Sequence, residues 1–287
     1  MTKQRGPRLV VVPTPIGNLE DITLRAMNTL RSADVIFAED TRSARRLLTA
    51  VDIKAPELIA LFEGNEAKGA SQVVDRVRAG QVVALVSEAG MPGVSDPGCV
   101  VVEHARKEGV LVEVLPGAVA AVVALVGSGL PTQPFSFFGF LPREPSARRM
   151  LLGGLSSRSE TLVFYESPRR VESTLVDMEA ALGGDRKAAL ARELTKLHEE
   201  YLCGTISELQ ERCKEAPVRG ECTIVVAGAS REPSKVEPEE IERQVLQLLE
   251  EGLSPKDIAG RLMLRTGKPR RHLYQLALSL GRTTPKK

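Results

Sequence analysis

The chain has 287 residues, of which 43% are hydrophobic and 26% are charged, and its formal net charge is +2. These proportions are ordinary for soluble globular proteins and exclude collagen-like, coiled-coil and wholly disordered chains. At about 150 residues per domain, the length predicts roughly two domains with substantial cores. The four cysteines form no C-x-x-C pair, and no charged-then-apolar leader precedes the first apolar run, so we expect a reduced, cytoplasmic protein.

Charge is distributed unevenly along the chain. Residues 252–287 contain nine Lys or Arg and one acid, a local charge of +8, whereas residues 236–251 contain six Glu and one Arg. A polyanion would be attracted mainly by the C-terminal segment, although a charge run by itself is more often a solvated helix face. Residues 114–142 are uncharged, but prolines interrupt them, and the longest unbroken piece is too short to cross about 30 Å of hydrocarbon. We therefore expect no membrane segment.

Short apolar runs alternate with amphipathic stretches in the first 117 residues. This alternation is typical of a mostly parallel sheet that is covered by helices on both faces. The predicted strands are 9–12, 35–38, 58–61, 82–86 and 111–115, and the predicted helices are 19–30, a segment from about 43, 66–79 and 97–107. We expect residues 1–117 to form the first α/β domain.

The next block, residues 118–229, predicts a second α/β domain with some antiparallel strands. Its predicted strands are 135–140, 161–165, 187–191, 199–203 and 221–227, and its predicted helices are 118–126, 169–182 and 207–215. Thr205 precedes the last of these helices and is a predicted N-cap.

A small helical domain is predicted at the end of the chain, over residues 236–287. Residues 228–238 are polar, contain two prolines and predict a linker. The predicted helices are 238–251, 255–265 and 269–280. Ser254 can cap the second of them, with Asp257 at its third position.

Several familiar catalytic motifs are missing from the sequence. It has neither a G-x-x-x-x-G-K-[ST] phosphate loop nor a G-x-G-x-x-G turn after the first strand. The segment 93–97 lacks the final glycine of a nucleophile elbow. His104, His198 and His272 lie far apart in the chain, so we expect no metal centre.

Three polar or glycine-rich loops follow predicted strands, at the edge where open α/β sheets bind ligands. The loop 13–19 has two prolines and a glycine, 39–42 is the polar sequence Glu-Asp-Thr-Arg, and 87–98 has three glycines and two prolines. Glycine allows the backbone to approach a ligand closely. Three such loops together predict a ligand site rather than ordinary surface turns.

These loops, together with four motifs further along the chain, resemble the ribosomal RNA small-subunit methyltransferases of the tetrapyrrole methylase superfamily. The matching segments are 13–19, 38–42, 87–98, 115–117, 164–170, 192–196 and 220–223. The resemblance implies two α/β domains with a donor site in the cleft between them, and a small C-terminal helical domain. It also implies S-adenosylmethionine as the methyl donor, a homodimer, and as acceptor the 2′-hydroxyl of a cytidine in the decoding region of 16S ribosomal RNA, free or in the 30S subunit.

The resemblance also assigns the donor pocket residue by residue. The residues that would line the pocket are Pro13, Glu88, Met91, Val119, Ala120, Tyr165, Leu194 and Thr223. Two of them depart from the usual pattern of the family, since Glu88 replaces an aspartate and Val119 replaces a serine. If that serine normally bonds the donor, its loss would weaken donor binding by about 1 kcal/mol.

Methyl transfer requires an in-line approach of hydroxyl oxygen to methyl carbon, and a base that accepts the hydroxyl proton would assist it. Glu39 and Asp40 at the end of the second strand are candidate bases, as is Glu193. Lys196 is another candidate, provided that burial depresses its pKa. A local ion pair that closes the loop is a nearly equal alternative for Glu39, Asp40 and Arg42.

Ribosomal RNA would be held through its phosphates by Lys and Arg side chains. The residues predicted to do so are Arg42, Arg143, Arg148, Arg149, Arg169, Arg170, Lys268, Arg270 and Arg271. We expect Phe137, Phe138 and Phe140 to belong to the core rather than to stack on bases. Two other functions stay open, namely methylation of a corrinoid or porphyrinogen, and a non-catalytic role in RNA binding or ribosome assembly.

Overall fold

The computed structural model describes residues 6–62, 64–229, 238–251, 253–266 and 268–283. The chain divides into two units, Met1–Gly228 and Ala229–Lys287. The first unit contains two five-stranded sheets, and the described residues of the second are mainly helical. The predicted division at residue 117 falls inside the first unit and stays a prediction. Most of the predicted linker, residues 228–238, lies outside the described residues.

The strands of the first sheet are β1 (Arg8–Val11), β2 (Val35–Ala38), β3 (Glu57–Ala60), β4 (Val82–Val86) and β5 (Val112–Val114). They pair in parallel in the order β3-β2-β4-β1-β5. The intervening helices are α1 (Leu24–Ser32), α2 (Thr41–Ala50), α3 (Glu66–Arg78) and α4 (Cys99–Lys107). Alternate side chains enter different cores, since Val10 and Ile36 pack in one cluster whereas Leu9 and Phe37 pack in another. The prediction of a parallel sheet buried on both faces is confirmed.

The first helix begins later than the predicted range 19–30. Leu19–Asp21 forms only a 3-10 turn, and α1 starts at Leu24. The Thr23 hydroxyl accepts a hydrogen bond from the Ala26 N–H at 3.0 Å. Because this side-chain cap satisfies a donor that the first turn leaves unpaired, Thr23 fixes the start of the helix.

The strands of the second sheet are β6 (Phe135–Phe140), β7 (Thr161–Glu166), β8 (Lys187–Arg192), β9 (Glu200–Thr205) and β10 (Cys222–Val226). Their order is β6-β7-β10-β8-β9, with β6 parallel to β7 and the other three pairings antiparallel. The helices of this part are α5 (Ala120–Gly127), α6 (Pro145–Gly154), α7 (Val171–Leu182) and α8 (Ile206–Glu215). The predicted antiparallel strands are confirmed, and so is the Thr205 cap, which forms a capping box with Glu208.

Helix α6 lies beside the second sheet and is an element that the sequence did not predict. Only Arg148 and Leu152 of this helix are buried, and one of them is charged. The sequence of the helix therefore lacks a clear apolar face. Arg148 is 5% exposed, and its Nε donates to Asp177 Oδ2 of α7 at 2.6 Å. The prediction that Arg148 contacts RNA is therefore wrong, since the side chain is enclosed and already paired.

Three helices form the second unit, as predicted: α9 (Pro238–Glu250), α10 (Pro255–Thr266) and α11 (Arg270–Thr283). Their shared core is a cluster of aliphatic side chains that includes Val245, Ile258 and Leu273. The Ser254 hydroxyl accepts from the Asp257 N–H at 3.3 Å, which confirms the predicted cap. Within the described parts of the chain, no helix is both long and apolar enough to cross a membrane.

The Arg148–Asp177 pair gives a direct test of the packing between α6 and α7. Arg149 also approaches Asp177, with Nη1 3.5 Å from Oδ1, but its side chain is 56% exposed. We expect Arg148→Ala to lower the free energy of unfolding by about 3–5 kcal/mol, because it leaves a buried carboxylate without its main partner. Arg149→Ala should cost less than about 1 kcal/mol. Equal losses for both variants in urea denaturation would contradict the structural role assigned to Arg148.

Candidate functional site

A cavity of about 280 Å³ lies between the loop that follows β4 and the strand ends of the second sheet. Its walls come from the loop residues 89–91 and 94–96, the start of α5, and the ends of β6, β7 and β10. Much of the lining is apolar, including Ile16, Met91 and Phe140. The volume is near the lower end of the range of roughly 300–1,000 Å³ that small-molecule sites occupy.

Backbone pairing between two loops builds one side of this cavity. The Thr14 N–H donates to the Gly90 carbonyl at 2.9 Å, and the Gly90 N–H donates to the Thr14 carbonyl at 3.1 Å. Gly90 has φ of +78°, and a Cβ there would lie 3.1 Å from Ile16 Cγ2 and 3.3 Å from the Ala118 carbonyl oxygen. Glycine is strongly favoured at this position, because its φ lies in the left-handed region and a Cβ would be crowded by Ile16 and Ala118.

A second close approach joins the turn before α5 to the loop that follows β1. A Cβ at Gly117 would overlap the ring of Pro13, so the two backbones can meet only through glycine. Pro13 is buried at this contact and does not line the cavity. Its role in the structure is to support the turn that leads to Val119 and Ala120.

Tyr165 connects the second sheet to the start of α5. Its hydroxyl accepts a hydrogen bond from the Ala121 N–H at 3.1 Å, and its ring lies edge-on to Phe137 and Phe140 at centroid distances of 4.8 and 5.6 Å. Burial raises the pKa of Tyr165, and the carboxylate of Asp96 adds to this effect. The hydroxyl therefore stays protonated at neutral pH. It can donate one hydrogen bond to a ligand while it accepts another from the Ala121 N–H.

The structure brings together five of the eight residues predicted to line the donor pocket. The five that line the cavity are Met91, Val119, Ala120, Tyr165 and Thr223. Leu194 is buried in the adjoining core beside Ile16, and Pro13 lies beneath Gly117. Glu88 is exposed and faces α2, where its Oε1 accepts from the Ser43 hydroxyl at 3.3 Å.

The residues present fit a small cationic donor with apolar parts. The described residues that line the cavity include no Lys, Arg or His, so no cationic side chain opposes a positively charged sulfur. Val119 is the N-cap residue of α5 and makes no side-chain hydrogen bond to the first turn. Because the Ala121 N–H already bonds Tyr165 and the Val122 N–H bonds the Val119 carbonyl, the Ala120 N–H is the first-turn donor that α5 can offer at this wall.

Asp96 is a cavity residue that sequence reasoning missed. Burial and, to a lesser extent, the nearby carboxylates of Glu39, Glu88 and Glu221 together raise its pKa to about 6, against a hydrogen bond from Ser87 that lowers it. The loop 87–98 was singled out for its glycines, but Asp96 itself was not chosen. The sequence signal for Asp96 is its position between Gly93 and Gly98 in a loop that follows a strand.

The acids at the end of β2 lie outside the cavity lining. Asp40 caps α2 by accepting from the Arg42 N–H at 2.7 Å, and its carboxylate also pairs with the Arg42 guanidinium at 3.0 Å. These hydrogen bonds lower the pKa of Asp40. Glu39 Oε2 accepts from the Glu88 N–H at 3.2 Å. The local ion pair, one of the two alternatives for this segment, is the arrangement found for Asp40 and Arg42.

Lys196 does not meet the condition set for it as a base. Its Nζ pairs with Glu193 Oε1 at 2.9 Å and with Glu221 Oε2 at 3.0 Å. Burial alone lowers the pKa of Lys196, but the hydrogen bonds to the two carboxylates outweigh it and raise the pKa. An ammonium held by two carboxylates keeps its proton, so the condition under which Lys196 would act as a base is not met.

The arginines predicted to bind RNA divide into exposed and structural residues. Arg143 and Arg169 are exposed, whereas Arg170 is half-buried and donates to the carbonyl groups of Leu141 and Pro142 at 3.0 and 2.9 Å. Arg170 also lies 3.3 Å from the buried carboxylate of Glu166. It anchors the segment after β6 rather than presenting a free charge, which corrects its predicted role.

The remaining basic residues of that prediction belong to the second unit. Lys268 lies two residues before the start of α11, and Arg270 and Arg271 lie in its first turn. All three side chains are exposed.

The prediction that three phenylalanines are core residues holds for two of them. Phe137 and Phe138 are half-buried against the two cores of the second sheet. Phe140 is 56% exposed and lines the cavity, so its assignment to the core is wrong. A bulge in β6 between Phe137 and Phe140 shifts the register and turns the strand end toward the cavity. Across the described parts of the chain, no group of three or more His, Cys, Asp or Glu is arranged to hold a metal ion.

Sequence comparisons place this geometry in a family. The profile described as Tetrapyrrole (Corrin/Porphyrin) Methylases matches residues 8–210. A protein named Ribosomal RNA small subunit methyltransferase I from Halalkalibacterium halodurans is 43% identical over 275 residues, which cover 93% of each chain. A protein of the same name from Bacillus subtilis (strain 168) is 40% identical over 273 residues, 93% of this chain and 92% of that protein.

Solved structures share the fold at lower identity. Cobalt precorrin-4 methyltransferase gives a TM-score of 0.59 at 19% identity and covers 76% of this chain and 94% of its own. Uroporphyrin-III C-methyltransferase from Thermus thermophilus, solved with S-adenyl homocysteine, gives a TM-score of 0.53 at 21% identity over 77% of this chain and 97% of its own. These matches confirm the predicted fold class. The chain belongs to the tetrapyrrole methylase family.

Proposed function

We propose that this protein transfers a methyl group from S-adenosylmethionine to the ribose 2′-hydroxyl of a cytidine in the decoding region of 16S ribosomal RNA. The observation that supports this most directly is the identity of 40–43% to proteins named Ribosomal RNA small subunit methyltransferase I, over 93% of this chain. The cavity at the strand ends supports the methyl-donor part of the proposal, because it combines a largely apolar lining with the Ala120 N–H at the start of α5, which has no hydrogen-bond partner among the described residues.

The donor, when bound, supplies an electrophilic methyl group. The apolar lining excludes water from this group, and the absence of a Lys, Arg or His among the described lining residues avoids repulsion of its positive charge. Strong pairing of a carboxylate with the sulfur would oppose the reaction, since positive charge disappears from sulfur as the methyl group leaves. The main task of the protein is to hold hydroxyl and methyl group in line.

RNA binding in this proposal uses two separate basic surfaces. The first is a broad open depression of about 1010 Å³ along α2, which is lined in part by Arg42, Arg45 and Arg46. Arg143 and Arg169 are further exposed cations of the same unit. The second surface is the start of α11, with Lys268, Arg270 and Arg271. The 30S subunit as substrate, the homodimer and the cytoplasmic location stay predictions.

The proposed activity is tested by methyl transfer from labelled S-adenosylmethionine to 30S subunits and to free 16S RNA that lacks modification. We expect 2′-O-methylcytidine in the decoding region after nuclease mapping. Labelling of a porphyrinogen or corrinoid but of neither RNA substrate would instead assign the protein to tetrapyrrole chemistry. RNA binding without any binding of the donor would indicate a non-catalytic factor.

The donor cavity is tested by filling it. We expect Ala120→Phe to weaken binding of S-adenosylmethionine by about 100-fold or more in isothermal titration calorimetry, because a phenyl ring takes the volume that the donor needs. Val122→Phe is the matched control, since Val122 lies on the same helix, is 46% exposed and does not line the cavity. Its donor affinity should stay within about threefold of the unaltered protein. Equal affinities for the two variants would place the donor elsewhere.

The basic start of α11 is tested through the salt dependence of RNA binding. Each lost phosphate contact reduces the slope of log affinity against log salt by about 0.7–0.9, so Arg270→Ala combined with Arg271→Ala should reduce it by about 1.5. Lys54→Ala combined with Lys107→Ala removes the same charge from exposed positions of the first unit and serves as the control. An unchanged slope for the α11 variant would show that this helix does not touch the phosphates.

A further inference from the structure

We propose that Asp96 is a catalytic residue whose carboxylate accepts the proton of the substrate hydroxyl during methyl transfer. This inference depends on the proposed function, since it assigns a role within the same reaction. It concerns a residue that neither the loop motifs nor the donor-pocket residues had singled out. The supporting observations are its position in the cavity, the rigidity of its loop and the charges around it.

Asp96 lies in the cavity wall, together with Tyr165, Phe140 and Glu221. It is half-buried, and it is among the residues that a molecule bound in the cavity would meet. The neighbouring lining is apolar at Phe140 and at the ring of Tyr165. A hydroxyl group that enters the cavity therefore meets the Asp96 carboxylate beside these two aromatic rings.

The loop that holds Asp96 is fixed at several points. Its Gly98 N–H donates to Glu66 Oε1 of α3 at 2.9 Å, and Cys99 Sγ donates to the Gly93 carbonyl at 3.1 Å. Ser95 has φ of +66°, and it packs so closely on β6 that a Cβ at Gly139 would lie 2.9 Å from the Ser95 hydroxyl. Such restraint on both sides of Asp96 keeps its carboxylate in place before substrate binds, as proton transfer requires.

The charges that face Asp96 come from three parts of the first unit. Glu39 follows β2, Glu88 follows β4 and Glu221 precedes β10, and all three are acids. Ser87 supplies a hydrogen bond that favours the ionised form, and Tyr165 is a neutral titratable neighbour. Among the described residues, no Lys or Arg contributes to the pKa of Asp96. Burial and these acids together raise that pKa to about 6.

The other acids near the cavity are engaged elsewhere. Glu166 is 1% exposed and accepts from the Thr174 hydroxyl at 2.8 Å. The pKa of Asp40 is lowered by its hydrogen bonds to Arg42, and that of Glu193 is lowered by its hydrogen bond to Lys196. Glu221 pairs with Lys196 as well. A carboxylate with a pKa nearer to neutrality is the better proton acceptor at working pH, which favours Asp96 over Asp40 and Glu193.

The proposed step balances without any further reactant. The hydroxyl oxygen forms a bond to the methyl carbon, and the carbon–sulfur bond breaks with its electron pair remaining on sulfur. The hydroxyl proton moves to an Asp96 carboxylate oxygen. The products are a methyl ether, a neutral thioether and a protonated Asp96, which returns its proton to water when the site opens.

The experiment compares Asp96→Asn with the unaltered protein in single-turnover methyl transfer to RNA between pH 5 and 9. We expect the rate to fall by about 10²–10⁴-fold, with loss of the rise in rate near pH 6. Donor affinity measured by calorimetry should change less than about threefold, because Asn keeps the shape of the side chain. Asp75→Asn, an exposed acid on α3, is the matched control and should keep the full rate.

A second measurement does not depend on activity. Carbon-13 NMR of labelled Asp carboxyl groups should show one resonance that titrates near pH 6 and that is missing from Asp96→Asn. The variant should also fold. Because the pKa of Asp96 is raised in the folded state, the free energy of unfolding of the unaltered protein falls as pH rises through that pKa, and Asn avoids this loss. Asp96→Asn should therefore melt at the same or a higher temperature than the unaltered protein at pH 8, with no gain at pH 4.

The outcomes separate this inference from the proposed function. An active unaltered protein with an equally active Asp96→Asn variant would overturn the role of Asp96 alone. A slowed variant whose rate keeps the same pH dependence would overturn it too, because the carboxylate would then act only on structure. If the unaltered protein methylates no RNA, the proposed function falls and the role of Asp96 falls with it.

Discussion

Two backbone hydrogen bonds between Thr14 and Gly90 join the loops that follow β1 and β4. These strands are neighbours in the first sheet, so their loops leave it side by side. The pairing closes one wall of the cavity and strongly favours glycine at position 90, where φ is positive and Ile16 lies close. Because it uses main-chain atoms, this constraint tolerates many side chains around it but disfavours a Cβ at its centre.

The second sheet completes the site through Tyr165. Its hydroxyl bonds the first turn of α5, and its ring packs on Phe137 and Phe140. The start of α5 is thereby fixed between the turn at Gly117 and the end of β7. The Ala120 backbone, an apolar wall and the Asp96 carboxylate thus meet at a single place. This combination suits a donor that carries a positive charge when it binds and loses that charge as its group is transferred.

Charge pairing separates the acids of this region by role. Asp40 and Glu193 each bond a neighbouring cation, so their carboxylates serve the loops that carry them. Among the described residues Asp96 has no such partner, and burial together with the nearby acids Glu39, Glu88 and Glu221 raises its pKa. The same logic divides the arginines, since Arg148 and Arg170 are bound to acids or carbonyl groups, whereas Arg143 and Arg169 are exposed. Pairing and burial, rather than residue type, determine which charges are available for a ligand.

The sequence alone determined the parallel first sheet, the mixed second sheet, the three terminal helices and the caps at Thr205 and Ser254. These features depend on the spacing of apolar residues and on local propensity, and both are visible in short segments of the sequence. Its loop motifs also predicted a ligand site where strands end. Two of the three loops, those after β1 and β4, meet beside the cavity because parallel strands bring their carboxyl ends to one edge. Tertiary structure alone decided that Lys196 is paired, that Arg148 is buried and that Asp96 reaches the cavity. Burial and charge pairing join residues that are distant in the chain, so no local pattern reveals them.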